Sequence, residues 1–251
     1  MRLWIPFLCS LFLSLASLAE TKEKIIWYKP NWPPYYMPTG SQVGEGHIDK
    51  LLDILQKQFP NIQFESSYYP LTSLKEMRER RPNTCNVSHL RTKDREKVAY
   101  FTAFYIQPPP QLVFRKSDWK EKLYEAKVVS LAQTLTDTKM HGGFSEERSY
   151  GANLDPLIKA KAKSSQIEMI PGASDSTSVL NMISADKIDY SIEYPEVVEY
   201  LLKNKLANGN FALTEVEEQR EPVVVHIACS KTDWGRKTIL QLDAEIGRAH
   251  V

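Results

Sequence analysis

Three consecutive prolines, Pro108-Pro109-Pro110, separate the strand-like run around Phe101-Thr102 from a second one at Gln111-Leu112-Val113-Phe114. Proline has no amide N–H and a fixed φ, so three in a row continue neither a helix nor the interior of a sheet. The chain is therefore expected to divide there. On both sides strand-like and helical segments alternate. Before the prolines, Ile25 to Tyr28 reads as a strand, and Ile48, Leu51, Leu52, Leu55 and Phe59 share one helical face that Pro60 stops. Ile62 to Tyr69 reads as the next strand, a short helix is expected around Leu74 and Met77, and Thr84 to Leu90 follows. After the prolines come strands at Val128 to Leu131, Ile167 to Ile170 and Ile188 to Ile192. Helices are expected from about Leu154, over Ser176 to Ala185 and over Glu196 to Lys203. Val223 to Ala228 is the last strand, and Trp234 to Asp243 the last helix. Such alternation predicts an α/β protein with largely parallel sheets, and 251 residues allow two lobes of about 100 residues each.

Charge narrows the partners. With 32 Lys+Arg against 31 Asp+Glu, the net charge of +1 offers nothing to a nucleic acid or an anionic membrane. Residues 1–19 carry Arg2, a mostly apolar stretch from Leu3 to Leu18, and small residues at Ser17 and Ala19 before Glu20. That is the layout of a secretory signal peptide, and it predicts export. Beyond it stand two cysteines, Cys85 and Cys229. In an oxidising compartment they suggest one disulfide, two buried thiols being the alternative. The last seven residues, Glu245 to Val251, read as foreign to the rest, and the natural chain is expected to continue past about Ala244.

Catalytic signatures do not stand out. The five histidines, at 47, 89, 141, 226 and 250, form no i,i+4 pair, and there is no Cys-x-x-Cys, so no metal or other cofactor is expected. Neither a Gly-x-Ser-x-Gly elbow nor a phosphate-binding glycine loop occurs. The residue types fit binding. Trp27, Trp32, Tyr35, Tyr36 and Tyr150 offer flat apolar walls, Arg95 a planar anion clamp, and Ser149-Tyr150-Gly151 a helix start. A lone Arg in a charged run is also an ordinary surface residue, and aromatics beside prolines also pack turns.

The order of the motifs carries further. Trp32-Pro33-Pro34-Tyr35-Tyr36 is followed by Gly46 and the helix from Ile48, then by Thr92-x-x-Arg95-Glu96-x-Val98 with Phe101-Thr102. Later come Ile188 to Tyr194 and Val223 to Ala228. This succession resembles the family 3 extracellular solute-binding proteins, the periplasmic binding proteins of polar amino-acid transporters. The resemblance spans nearly the whole mature chain. It implies a type II fold: two α/β lobes, one over 23–107 plus 225–251 and one over 108–224, joined by two crossing strands with a ligand cleft between them.

Carried over by position, the resemblance makes Arg95 the partner of a ligand carboxylate, with Thr92 beside it. Tyr35, Tyr36 and Trp32 wall the cleft, and Ser149, Tyr150 and Gly151 receive the ligand's far end. Amino-acid binders hold the ligand's ammonium with an acid in the second lobe. At that position this chain has Tyr194, with Glu193 one place earlier. A one-residue slip along a strand reverses the face, so Glu193 reaches the cleft only at a bulge or strand end. Acids without an amine, or aromatic ones, are then plausible ligands. The implied protein is a monomer, not an enzyme, that works with a membrane permease or receptor. A dehydratase-like enzyme on the same fold would need Glu193 as its acid/base group.

Overall fold

A computed structural model of the chain describes residues 23–69, 83–118, 127–146, 148–171 and 176–249. The leader and the helix expected around Leu74 and Met77 lie outside the described residues.

β1 (Glu23–Pro30) buries Ile25 and Trp27 and pairs in parallel with β2 (Ile62–Tyr69) and β3 (Thr84–His89). Between β1 and β2, α1 (His47–Gln56) packs Ile48, Leu52 and Leu55 inward, one stripe at helical spacing. After β3 come a one-turn helix, α2 (Lys93–Glu96), and β4 (Ala99–Gln107). The prolines then carry the chain out of this sheet into β5 (Gln111–Arg115).

A second unit follows: β6 (Val128–Val129), α3 (Leu131–Thr134), β7 (Gly142–Ser145), α4 (Asp155–Lys161), β8 (Ile167–Ile170), α5 (Ser176–Ser184), β9 (Tyr190–Glu193), α6 (Pro195–Lys203) and β10 (Phe211–Val216). The chain returns as β11 (Val223–Ser230) and ends its described course in α7 (Asp233–Ala249), which packs across β4 and β11.

The first sheet has the order β2-β1-β3-β11-β4 and the second β6-β10-β5-β9-β7-β8. Both are mixed. β11 runs antiparallel between β3 and β4, and β5 runs antiparallel between β10 and β9. The expectation of largely parallel sheets is therefore corrected: the two strands that carry the chain between units return against their neighbours. The two crossings run side by side, with Val223 opposite Gln107 and Glu215 opposite Gln111. Glu218, on the return crossing, accepts from the Ser130 hydroxyl and from the Leu131 and Ala132 amides at 2.9 Å, which ties that crossing to the start of α3.

β7 and β10 were not among the expected strands. In β7 the glycines serve packing: a Cβ on Gly142 would lie 2.6 Å from the Tyr190 ring, and one on Gly143 2.4 Å from Ile188 Cδ1. Neither residue carries an apolar side chain, so the strand leaves no periodic signal.

Cys85 in β3 and Cys229 in β11 face one another across the antiparallel ladder and form a disulfide, with Cα atoms 4.0 Å apart and 144 residues between them in sequence. It staples the returning strand β11 to β3 at the end of the ladder away from the crossings, where Cys229 also lies opposite Tyr100 of β4. Removing such a link costs about 2–5 kcal/mol. The Cys85→Ala/Cys229→Ala variant is expected to unfold at lower denaturant by that amount. Unchanged stability would show that the ladder alone seats β11.

Candidate functional site

Loop 31–37, between β1 and α1, is held by its own backbone. The Trp32 carbonyl accepts from the Tyr35 and Tyr36 amides at 2.9 Å. The Pro34 and Tyr35 carbonyls accept from His47 and Ile48 at 3.0 Å, which satisfies amides that the first turn of α1 leaves open. Glycine is required at 46, since a Cβ there would come 2.3 Å from the Tyr35 oxygen. Asp49 completes the anchor: buried in α1, it takes the Lys29 ammonium at 2.8 Å and the Met37 amide at 3.0 Å. The loop thus presents Trp32 and Tyr35 toward the second unit on a fixed base.

The second unit answers with Arg148, Tyr150, Glu193, Tyr194 and Glu196. The Arg148 guanidinium meets Glu193 through two parallel bonds, Nη1 to Oε2 at 2.6 Å and Nη2 to Oε1 at 2.8 Å. Its central carbon stands over three rings, 5.4 Å from Trp32, 5.0 Å from Tyr150 and 5.7 Å from Tyr194. Trp32 also lies 4.5 Å from Tyr35 and 5.7 Å from Tyr194, ring to ring, and the Tyr35 hydroxyl donates to the Glu196 carboxylate. Residues of both units therefore close on one charged pair.

Glu193 reaches this place because β9 ends on it. Tyr194 already caps α6, so the face-to-face alternation of the strand stops there, and both side chains touch Arg148. Glu193 is 3% exposed and its oxygens have further partners, the Ser176 hydroxyl and the Tyr194 amide at 2.8 Å. The Gln107 side chain at the end of β4 lies near the Tyr194 hydroxyl and acts to lower its pKa against burial. Gln107 Oε1 is buried and has no partner among the described residues.

The remaining residues singled out in the sequence lie in two other places. Tyr36 is wholly buried, and it shares the Ser88 hydroxyl with Tyr105, each at 2.9 Å. Thr92 caps α2 by accepting the Arg95 amide at 3.3 Å, and Arg95 Nη1 donates to the Leu90 carbonyl at 2.9 Å. Leu90 approaches Gly151 of the second unit: a Cβ on that glycine, at φ 108°, would be 3.6 Å from Leu90 Cδ1. The donors of Ser149 and Tyr150 are engaged by Asp155, the hydroxyl at 2.6 Å and the amide at 2.7 Å. Arg148, Glu196, Ser176 and Gln107 were not foreseen. Arg148 follows Glu146-Glu147 in a charged run, and no spacing distinguishes it from a surface arginine.

Burial sets the electrostatics. It pushes the Tyr150 and Tyr194 hydroxyls up to about 12, although the nearby Arg148 charge pulls both down. Tyr35 rises further still, through burial and then Glu196. For Arg148 burial acts downward, but Glu193 more than offsets it and holds the guanidinium above its ordinary value.

No family profile matches the chain, and no curated protein sequence matches it. Solved structures do. The chain is similar to the arginine-, lysine-, histidine-binding protein ArtJ from the thermophilic bacterium Geobacillus stearothermophilus. The TM-score is 0.67 at 13% identity, over 91% of this chain and 90% of that one. An ancestral arginine-binding protein bound to arginine gives 0.66 at 12% identity, over 91% and 92%. The periplasmic sensor of the Borrelia burgdorferi hybrid histidine kinase Hk1 gives 0.61 at 14% identity, over 91% and 96%. At these identities the likeness establishes the fold, the two-lobed periplasmic binding protein.

Two outcomes follow from the buried charges. Glu193→Gln leaves the Arg148 guanidinium without its counter-charge in a largely dry site, at a cost of about 3–5 kcal/mol in denaturant unfolding. A loss below about 1 kcal/mol, the range of exposed pairs, would mean that water reaches the guanidinium freely. The tyrosines set an alkaline limit. Unfolded tyrosine loses its proton near pH 10, whereas Tyr150 and Tyr194 keep theirs to about 12. The native state then binds more protons than the unfolded one, so stability is full below about pH 10 and falls as pH climbs toward about 12. Denaturant midpoints across that range that stay flat would contradict this.

Proposed function

We propose that this chain is a periplasmic solute-binding protein of the family 3 type, which captures a small polar, carboxylate-bearing molecule between its lobes and hands it to a membrane ABC transporter permease. The observation that carries this reading is the convergence of rings and charges from both lobes, Trp32 and Tyr35 on one side and Arg148, Tyr150, Tyr194 and Glu196 on the other. A cleft walled this way closes around a ligand by hinge motion at the two crossings, and closure is what a membrane partner reads. The leader at residues 1–19 directs export to the periplasm, and the protein works as a monomer.

In this reading Arg95 holds the ligand carboxylate. Its guanidinium is oriented by the Leu90 carbonyl, beside the point where Leu90 meets Gly151 of the facing lobe. Charge-assisted bonds of this kind contribute about 1.5–3 kcal/mol each. Gln107 Oε1 adds a buried acceptor for a ligand N–H.

A second output is favoured by the likeness to the Hk1 periplasmic sensor and to another histidine kinase sensor domain. The same closure would then signal to a membrane receptor. The enzyme reading is weaker, because both Glu193 oxygens are occupied by Arg148, Ser176 and the Tyr194 amide.

The test is a thermal-shift screen of the mature chain against amino acids, keto acids and aromatic acids. A ligand at a hundredfold excess over Kd adds about 2.7 kcal/mol, and each kcal/mol moves the midpoint roughly 2–4 °C. Arg95→Ala is expected to abolish the shift. A variant that responds as fully as the wild type would remove Arg95 from the site, and a flat screen of the wild type would remove the carboxylate ligand.

A further inference from the structure

Arg148 is enclosed as a ligand is enclosed. Its flat guanidinium stands among the rings of Trp32, Tyr150 and Tyr194, and its edge meets Glu193 in a two-bond fork. This geometry selects a planar, delocalised cation. The fork needs two parallel N–H donors, and the rings attract a weakly hydrated charge.

Each wall of the box is also held by something other than Arg148. Glu193 is fixed by the Ser176 hydroxyl and the Tyr194 amide. The Tyr150 hydroxyl accepts from the Ser145 amide at 3.0 Å. Tyr194 packs edge-on against Tyr35 at 6.1 Å, and Trp32 leans on Tyr35 at 4.5 Å. A surface ion pair shapes its own surroundings, but here the groups around the guanidinium also have anchors of their own. Arg148 itself lies between β7 and α4, outside any helix or strand, so withdrawal of its side chain breaks no ladder or helical turn.

We propose that Trp32, Tyr150, Tyr194 and Glu193 form a guanidinium-recognition site in the cleft, with Arg148 as its tethered occupant. A ligand bearing a guanidinium or amidinium group enters this site by displacing Arg148. The inference rests on the cleft being the ligand site and names the chemical class that the second lobe reads. It also accounts for selectivity: an ammonium finds Glu193 already neutralised and cannot reproduce the planar fork that it would have to replace.

The test uses Arg148→Ala with ethylguanidinium, the detached end of the deleted side chain, and ethylurea, its uncharged counterpart of the same shape. Binding is read from tryptophan fluorescence and the thermal midpoint. Arg148→Ala is expected to bind ethylguanidinium at least tenfold more tightly than does the wild type, in which Arg148 competes. It is also expected to bind at least tenfold more tightly than does Arg148→Ala/Glu193→Gln, and ethylurea is expected to have no effect. Equal affinities across the three proteins, or an equal response to ethylurea, would overturn the proposal. If Arg148→Ala does not fold alone, recovery of folded protein with ethylguanidinium and not with ethylurea is the same expected result, and no recovery overturns it. A flat carboxylate screen with this rescue intact would defeat the transport reading alone. A positive screen without rescue would defeat the guanidinium site alone.

Discussion

A charge removed from water has to be answered on every side, and the Arg148–Glu193 pair imposes that condition on the whole cleft. Glu193 is almost fully buried, and its carboxylate takes bonds from Arg148, Ser176 and a backbone amide. Those partners come from the β7–α4 connection, the start of α5 and the end of β9, so three segments must arrive together for the charge to be tolerated. The rings on the guanidinium faces bring in a fourth, the loop after β1. A buried pair of this kind adds little net stability compared with an apolar core, but it penalises every arrangement that separates its members. Its effect is on which structure forms, and on how closely the two lobes register.

The same logic works at a distance from the cleft. Asp49 and Lys29 form a second buried pair, and the Met37 amide uses the remaining carboxylate oxygen. This fixes the ends of the aromatic loop to β1 and α1, while the loop carbonyls satisfy the first amides of the helix. Trp32 is therefore presented from a rigid base although it lies outside regular structure. The disulfide does the corresponding task for the returning strand, by tying the far end of β11 to β3. Side chains carried on loops keep a fixed position only when a stiff scaffold backs them.

The two-lobed fold was legible because its signals are local. A Pro- and aromatic-rich loop before an amphipathic helix, and a helix start at Thr92 with Arg95 inside it, are short-range patterns that survive without any knowledge of contacts. Arg148 was not legible for the complementary reason. Its partners are 45 residues away at Glu193 and far upstream at Trp32, and only folding joins them. Glu193 itself was ambiguous in sequence, because strand alternation assigns a face only while the strand continues.

The sequence by itself determined the alternation of strands and helices, the break at Pro108 to Pro110 and the residue types able to wall a cleft, since these follow from periodicity and backbone chemistry. Tertiary structure decided the rest. It placed β11 between β3 and β4, which hydrophobic pattern cannot specify because every strand of an α/β core reads alike. It turned Ser149 and Tyr150 toward Asp155, and it brought Arg148 and Glu193 together under three rings from two lobes. Those are long-range electrostatic choices, fixed by which groups can satisfy one another once water has been excluded.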